Sequence, residues 1–232
     1  GDLHLSPDGQ HVVGYWKSDY RAEWPELVVF DRQGRIADSG SPVDYDTFGA
    51  REAVTWLPDG RYFYLAGDKI VISQLGKSRS LIAPLRLPPG VGSNGARIGV
   101  SPDGRRLAWS LVVTSSNGAG TATNYGVTFV SGLDGSGMRP LTRPSARLVD
   151  HGIAASHTTP SWSSDGRTVF MVPGGPSAYG TANFQNACPH VIALPADGAP
   201  RLIDGLQDPP DLTLRTSAGE VRACGHAQWI AR

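Results

Sequence analysis

Short apolar runs alternate with compact turns along almost the whole chain. One turn recurs four times: Ser6-Pro7-Asp8-Gly9, Leu57-Pro58-Asp59-Gly60, Ser101-Pro102-Asp103-Gly104 and Ser163-Ser164-Asp165-Gly166. Proline presets the first corner, aspartate bonds the local backbone, and glycine takes positive φ without a Cβ clash. Each turn opens onto a run of strand formers: His11-Val12-Val13-Gly14-Tyr15-Trp16, Arg61-Tyr62-Phe63-Tyr64-Leu65, Arg106-Leu107-Ala108-Trp109 and Thr168-Val169-Phe170-Met171. This pattern predicts four hairpins.

A second hairpin follows each first one. The apolar stretches are Leu27-Val28-Val29-Phe30, Ile70-Val71-Ile72, Gly126-Val127-Thr128-Phe129-Val130 and Val191-Ile192-Ala193-Leu194. They lead into the turns Asp31-Arg32-Gln33-Gly34, Gln74-Leu75-Gly76, Asp134-Gly135-Ser136-Gly137 and Asp197-Gly198. A short last strand closes each unit: Arg35-Ile36-Ala37, Ser80-Leu81-Ile82, Arg139-Pro140-Leu141-Thr142 and Arg201-Leu202-Ile203. Each unit therefore reads as four antiparallel strands joined by three turns. The first-turn glycines are 51, 44 and 62 residues apart, a period that suits propeller blades. The expected fold is an all-β β-propeller of at least four such blades. They lie at about 1–45, 46–90, 91–148 and 149–206, with a partial unit over 207–232.

The repeat resembles the TolB-type, or WD40-like (PD40), β-propeller repeat. Trp162-Ser163-Ser164-Asp165-Gly166-Arg167 matches the first half of that pattern. Leu133-Asp134-Gly135-Ser136 with Leu141-Thr142 matches the second half in the preceding unit. The resemblance covers nearly the whole chain and speaks to architecture more than to function. Unit two departs from it, with Gln74-Leu75-Gly76 in place of an Asp-Gly turn. Units three and four carry long excursions, Thr114 to Asn124 and Gly174 to Pro189.

Aligning the turns puts Leu5, Trp56, Val100, Trp162 and Trp229 at one inner-strand position, expected to pack between blades. The chain enters directly on an inner strand and its last run, Gly225 to Ile230, has no turn after it. Two arrangements follow. One is part of a larger ring completed by a companion polypeptide; the other is a four- or five-bladed ring closed by its own tail.

The polar neighbours of that position are His4, Thr55, Gly99, Ser161 and Gln228, with Asp2, Arg97 and His226 further back. Near the mouth of a central channel, Asp2, His4, Arg97, His226 and Gln228 form a candidate site for a polar ligand. Two readings stay open: a hydrogen-bonded lining of a wet channel, and a divalent metal on His4, His226, Gln228 and Asp2. No other cofactor is expected. Tyr20, Arg21, Trp24 and Tyr45, in the loops of the first unit, suit a protein-binding surface.

Composition narrows the partners. Lysine plus arginine equals aspartate plus glutamate, 21 each, so a broad nucleic-acid surface is not expected. No apolar run reaches the length of a membrane-spanning helix. There is no Gly-x-Ser-x-Gly elbow and no phosphate-binding Gly-x-x-x-x-Gly-Lys. Cys188 and Cys224 fit a disulfide, and also two free thiols. With the bond, the expected location is periplasmic or secreted. The leading expectation is a binding module for a protein or small polar ligand. The alternatives are the propeller portion of a prolyl-oligopeptidase-type serine peptidase and a metal-dependent propeller lyase or hydrolase.

Overall fold

Four sheets follow one another along the chain, each laid face to face on the next. The computed structural model describes residues 3–16, 26–39, 54–66, 69–77, 81–116, 122–146, 155–157, 159–176, 191–203, 211, 213–216 and 219–222. The elements bounded there are all strands. The first sheet has β1 (His4–Leu5), β2 (His11–Trp16), β3 (Glu26–Asp31) and β4 (Ile36–Ser39), in that spatial order. The second has β5 (Val54–Trp56), β6 (Tyr62–Ala66), β7 (Lys69–Ser73) and β8 (Leu81–Pro84). The third has β9 (Val91–Val100), β10 (Arg106–Ser116), β11 (Ala122–Gly132) and β12 (Arg139–Pro140). Pairing within all three is antiparallel. Among the described residues no helix is long and apolar enough to cross a membrane.

The fourth unit differs from the expected four antiparallel strands. After β13 (Thr142–Pro144) and β14 (Ala155–His157) come β15 (Ser161–Trp162), β16 (Thr168–Met171), β17 (Pro173–Pro176), β18 (Ile192–Pro195) and β19 (Arg201–Ile203). Only β15, β16 and β18 form the blade sheet. The last strand, β19, pairs in parallel with β13 on the exit of the third blade. The edge it leaves on β18 is occupied by Asp211. Its N–H donates to the Val191 carbonyl at 3.2 Å, and its carboxylate accepts from the Ala193 N–H at 2.9 Å and from Arg201. A backbone edge left bare would cost about a hydrogen bond per group. A separate hairpin, β20 (Thr213–Thr216) with β21 (Gly219–Arg222), follows.

The Leu-Thr pair ending the third blade has a mechanical role. Leu141 N–H donates to the Thr128 carbonyl at 2.7 Å, and Thr128 N–H donates to Thr142 Oγ1 at 2.8 Å. The hydroxyl thus replaces a ladder carbonyl, and the chain is released toward β19.

Alternation along the strands divides each blade into two apolar faces. The leading face carries the position of Leu5, Trp56, Val100 and Trp162; the trailing face carries that of His4, Thr55, Gly99 and Ser161. The trailing face of each blade packs on the leading face of the next. Val13, Leu27 and Val29 meet Trp56, Tyr62 and Tyr64. Phe63, Leu65, Ile70 and Ile72 meet Ile98, Leu107 and Trp109. Ala108 and Val130 meet Trp162, Val169 and Met171. The inner strands stand side by side in the order β1, β5, β9, β15. Sheets stacked this way with inner strands adjacent are the blades of a β-propeller.

Candidate functional site

The two ends of the blade stack are built differently. At one end lie the repeated turns. Ser6 Oγ donates to Asp8 Oδ1 at 2.6 Å and accepts the His11 N–H at 2.9 Å, while Asp8 Oδ1 also accepts the Gln10 N–H at 3.0 Å. Ser101 with Asp103 and Ser163 with Asp165 repeat the arrangement. These bonds hold the carboxyls of Asp8, Asp103 and Asp165 below the usual carboxylate range, the serine hydroxyl being the main cause in each. Leu57 has no hydroxyl to do this. Its turn is one residue shorter, closing from Leu57 N–H to the Arg61 carbonyl, and Asp59 pairs with Arg61 at 2.7 Å instead. The four motifs look alike in sequence, but in the second Trp56 lies opposite Tyr62, one residue nearer its turn than Val12 opposite Leu5 in the first.

At the other end, β10 and β11 run together for eleven residue pairs, from Arg106↔Gly132 to Ser116↔Ala122. That ladder is longer than the five-pair β6–β7 ladder of the second blade. The short β14–β17 ladder packs against it, and Thr114 N–H donates to the Gly90 carbonyl at 3.0 Å, tying the linker from the second blade to its flank. The sequence marked this region as a Ser/Asn/Gly-rich excursion; much of it is regular strand.

Of the expected ligand-site residues, His4 and Arg97 lie among the described residues, and both are half-buried. His4 is on β1, and its carbonyl accepts the Trp56 indole N–H at 2.8 Å. Arg97 is on β9 opposite Ser110, beside an irregularity where β9 carries extra residues against β10. Such bulges re-aim side chains. Both residues belong to trailing faces, and β5 stands between their strands. Asp2, His226 and Gln228 lie outside the described residues, as do Tyr20, Arg21, Trp24, Tyr45, Cys188, Cys224 and Trp229. Among the described residues no three His, Cys, Asp or Glu side chains come together as metal ligands.

Sequence reasoning missed a cluster that joins blades three and four. The Arg106 guanidinium lies 4.9 Å from the centre of the Trp162 ring and donates to the Gly166 carbonyl. Asp197 sits between Arg106 at 3.4 Å and Arg139 at 3.2 Å. Arg139 also donates to the Ala196 and Gly198 carbonyls. The only sequence signal was a second arginine after the third turn. His11 holds the corresponding place over Trp56, with ring centres 6.3 Å apart.

Two clefts flank the junction of blades two and three. One, about 630 Å³, lies between Ala83–Pro88 and the turn Asp134–Met138. The other, about 430 Å³, lies between the turns and carries Asp59, Arg61, Asp103 and Arg105. Its two carboxylates and two guanidiniums balance, which suits a neutral or zwitterionic polar group better than a polyanion.

No family model matches the chain, and no curated protein matches it. Among solved structures it is similar to hydrazine synthase of Kuenenia stuttgartiensis, at 13% identity over 83% of this chain and 50% of that one, with a TM-score of 0.48. It is similar to a prolyl endopeptidase at 17% identity over 83% of this chain and 26% of that one, TM-score 0.45. A third likeness is to the tricorn protease, at 11% identity over 71% of this chain and 14% of that one, TM-score 0.44. The chain spans half or less of the length of each of these structures.

Proposed function

We propose that this propeller, of the TolB-type repeat, is an extracytoplasmic binding module that takes a protein partner at the end where the β10–β11 ladder projects. The observation that carries the reading is the contrast between the ends. One is closed by short, internally bonded turns. The other carries the eleven-pair β10–β11 ladder with the β14–β17 ladder packed against it. Function on a rigid frame concentrates in the connections it presents. Tyr20, Arg21, Trp24 and Tyr45, which lie outside the described residues, belong to the proposal as partner-binding residues. A Cys188–Cys224 disulfide belongs to the proposal, since an extracytoplasmic location permits it.

The test is partner capture by the full chain from extracytoplasmic extract, compared with T114R and N124R on the ladder. Thr114 and Asn124 are exposed and bond to each other at 2.8 Å. The same partner should be captured by wild type and lost at least tenfold in both variants, with unchanged unfolding midpoints. Retention by both variants would reject the ladder as the binding element. A second reading, a small polar ligand, is favoured by the charge-balanced cleft of Asp59, Arg61, Asp103 and Arg105. A thermal-shift panel of sugars and amino acids tests it: a hit abolished by R105A supports it, and no hit rejects it.

A further inference from the structure

The outer strand of the second blade runs on past its partner. β8 pairs with β7 as far as Pro84 opposite Lys69, and Lys69 is the first residue of β7. The residues that follow stay extended for local reasons. Pro84 fixes its own φ, and Pro88 biases Leu87 toward the extended region. Leu85 and Leu87 are half-buried against the core shared by blades two and three, while Arg86 between them is exposed. That alternation is a strand's. Yet among the described residues the backbone N–H and carbonyl groups of Leu85, Arg86 and Leu87 have no hydrogen-bond partner. The next backbone bond along the chain runs from the Val91 N–H to the Pro88 carbonyl at 3.1 Å.

Arg86, Leu87 and Pro88 line one wall of the 630 Å³ cleft. The other wall is the turn Asp134–Met138, whose backbone is bonded internally. The Gly132 N–H donates to the Ser136 carbonyl at 2.8 Å, and the Ser136 N–H donates to Asp134 Oδ1 at 3.0 Å. Gly135 seats this turn on the second blade: a Cβ there would lie 2.9 Å from Ile70 Cδ1 and 3.8 Å from Leu85 Cδ1. Ser136 is the main cause that holds the Asp134 carboxyl below the usual carboxylate range, so it is ionised at neutral pH. Among the described residues Arg86 has no ion pair. The cleft therefore sets a guanidinium on one wall, a carboxylate on the other, and the half-buried Leu87 and Met138 between them. None of its described lining residues is aromatic, so it offers no stacking plane to a nucleobase.

We propose that this cleft takes an extended peptide segment of a partner protein, added as a strand along Leu85–Leu87, with an acidic side chain for Arg86 and a basic one for Asp134. The unpaired backbone groups supply main-chain hydrogen bonds, which an extended peptide can complete whatever its side chains. The two charges then select among peptides, since opposite charges on neighbouring strands attract and like charges repel. A segment with one charge of each sign satisfies both walls. The site shares no residue with the β10–β11 ladder and goes beyond the function proposed there. Its test uses no partner captured at the ladder, so either reading can fail alone.

The experiment screens the purified full chain against a library of pentapeptides with both ends capped. The expected binders carry one acidic and one basic side chain. Methylating their backbone nitrogens one at a time should weaken binding at least tenfold at one position or more, because a main-chain donor is lost while every side chain is kept. R86E should weaken the same peptides at least tenfold and favour those with lysine in place of the acidic residue. D134N, whose amide oxygen can still accept the Ser136 N–H, should weaken them at least threefold. Arg86 is exposed, so R86E should keep the wild-type unfolding midpoint; R86A carries the test if it does not. Binders without the charge pair, binding indifferent to methylation, or affinity unchanged at position 86 overturns the proposal. So does the absence of any binder, as when a segment of the chain itself fills the cleft.

Discussion

Replacing Gly99 with alanine tests the closeness of blades three and four. A Cβ at Gly99 would lie 2.1 Å from the Pro160 carbonyl oxygen and 3.1 Å from its carbon. Both are backbone atoms of the next blade's inner segment, so no rotamer change relieves the clash. The φ of Gly99 is not in the left-handed region, so conformational strain plays no part. Relief requires the two inner strands to part. Parting also stretches the bond from the Trp162 indole to the Gly99 carbonyl, now 3.0 Å. Overpacking of this kind costs about 1–3 kcal/mol, and losing the hydrogen bond adds about 1 kcal/mol. Reduced freedom of the unfolded chain returns about 0.4–1 kcal/mol. The net expectation is a loss of about 1–3.6 kcal/mol. Urea unfolding followed by tryptophan fluorescence measures it, with the midpoint falling and the denaturant slope unchanged. A loss under about 0.5 kcal/mol would refute the close approach as the reason for glycine.

Ser101→Ala removes the acceptor of the Arg106 N–H and the donor to Asp103, and should cost about 1–2 kcal/mol in the same assay; no change would show that the turn holds without its hydroxyl. The turn carboxyls of Asp8, Asp103 and Asp165 are held below their usual range, so the stability they contribute is present above their unfolded value near pH 4 and fades as pH falls through the folded values. Thermal midpoints should therefore drop below about pH 4, by less in Ser101→Ala, and equal drops in both proteins would count against the serine bond as the cause. Burial and the Asp38 carboxylate push Tyr62 up to about 12. Its neutral form is the one the fold favours, so this stability is full below about pH 10 and lost as pH rises toward 12. Ultraviolet titration of Tyr62→Phe against wild type should lack one step near 12, and a missing step near 10 would contradict the burial. Arg106→Ala should cost about 1–2 kcal/mol through the lost ring contact and carbonyl bond. Asp197→Ala, at an exposed side chain, should cost less than about 1 kcal/mol, and the reverse order would overturn this account of the latch.

Local chemistry made the blades legible. A serine or leucine, a proline, an aspartate and a glycine each constrain the backbone within a few residues, and alternation marks which side chains share a face. From these the strands, their order within the first three sheets and the inter-blade place of Trp56 and Trp162 follow without tertiary information. The Leu57 turn shows the limit at short range: its motif is readable, yet it closes one residue earlier than the other three. What only the tertiary structure decided depends on partners distant in sequence. That β19 leaves β18 for β13 follows from Asp211 occupying the edge and from Leu141 and Thr142 redirecting the chain, and no local periodicity encodes a competition between strands sixty residues apart. The latch of Arg106, Arg139 and Asp197 is of the same kind, three ordinary surface residues given a role by the stacking of two blades.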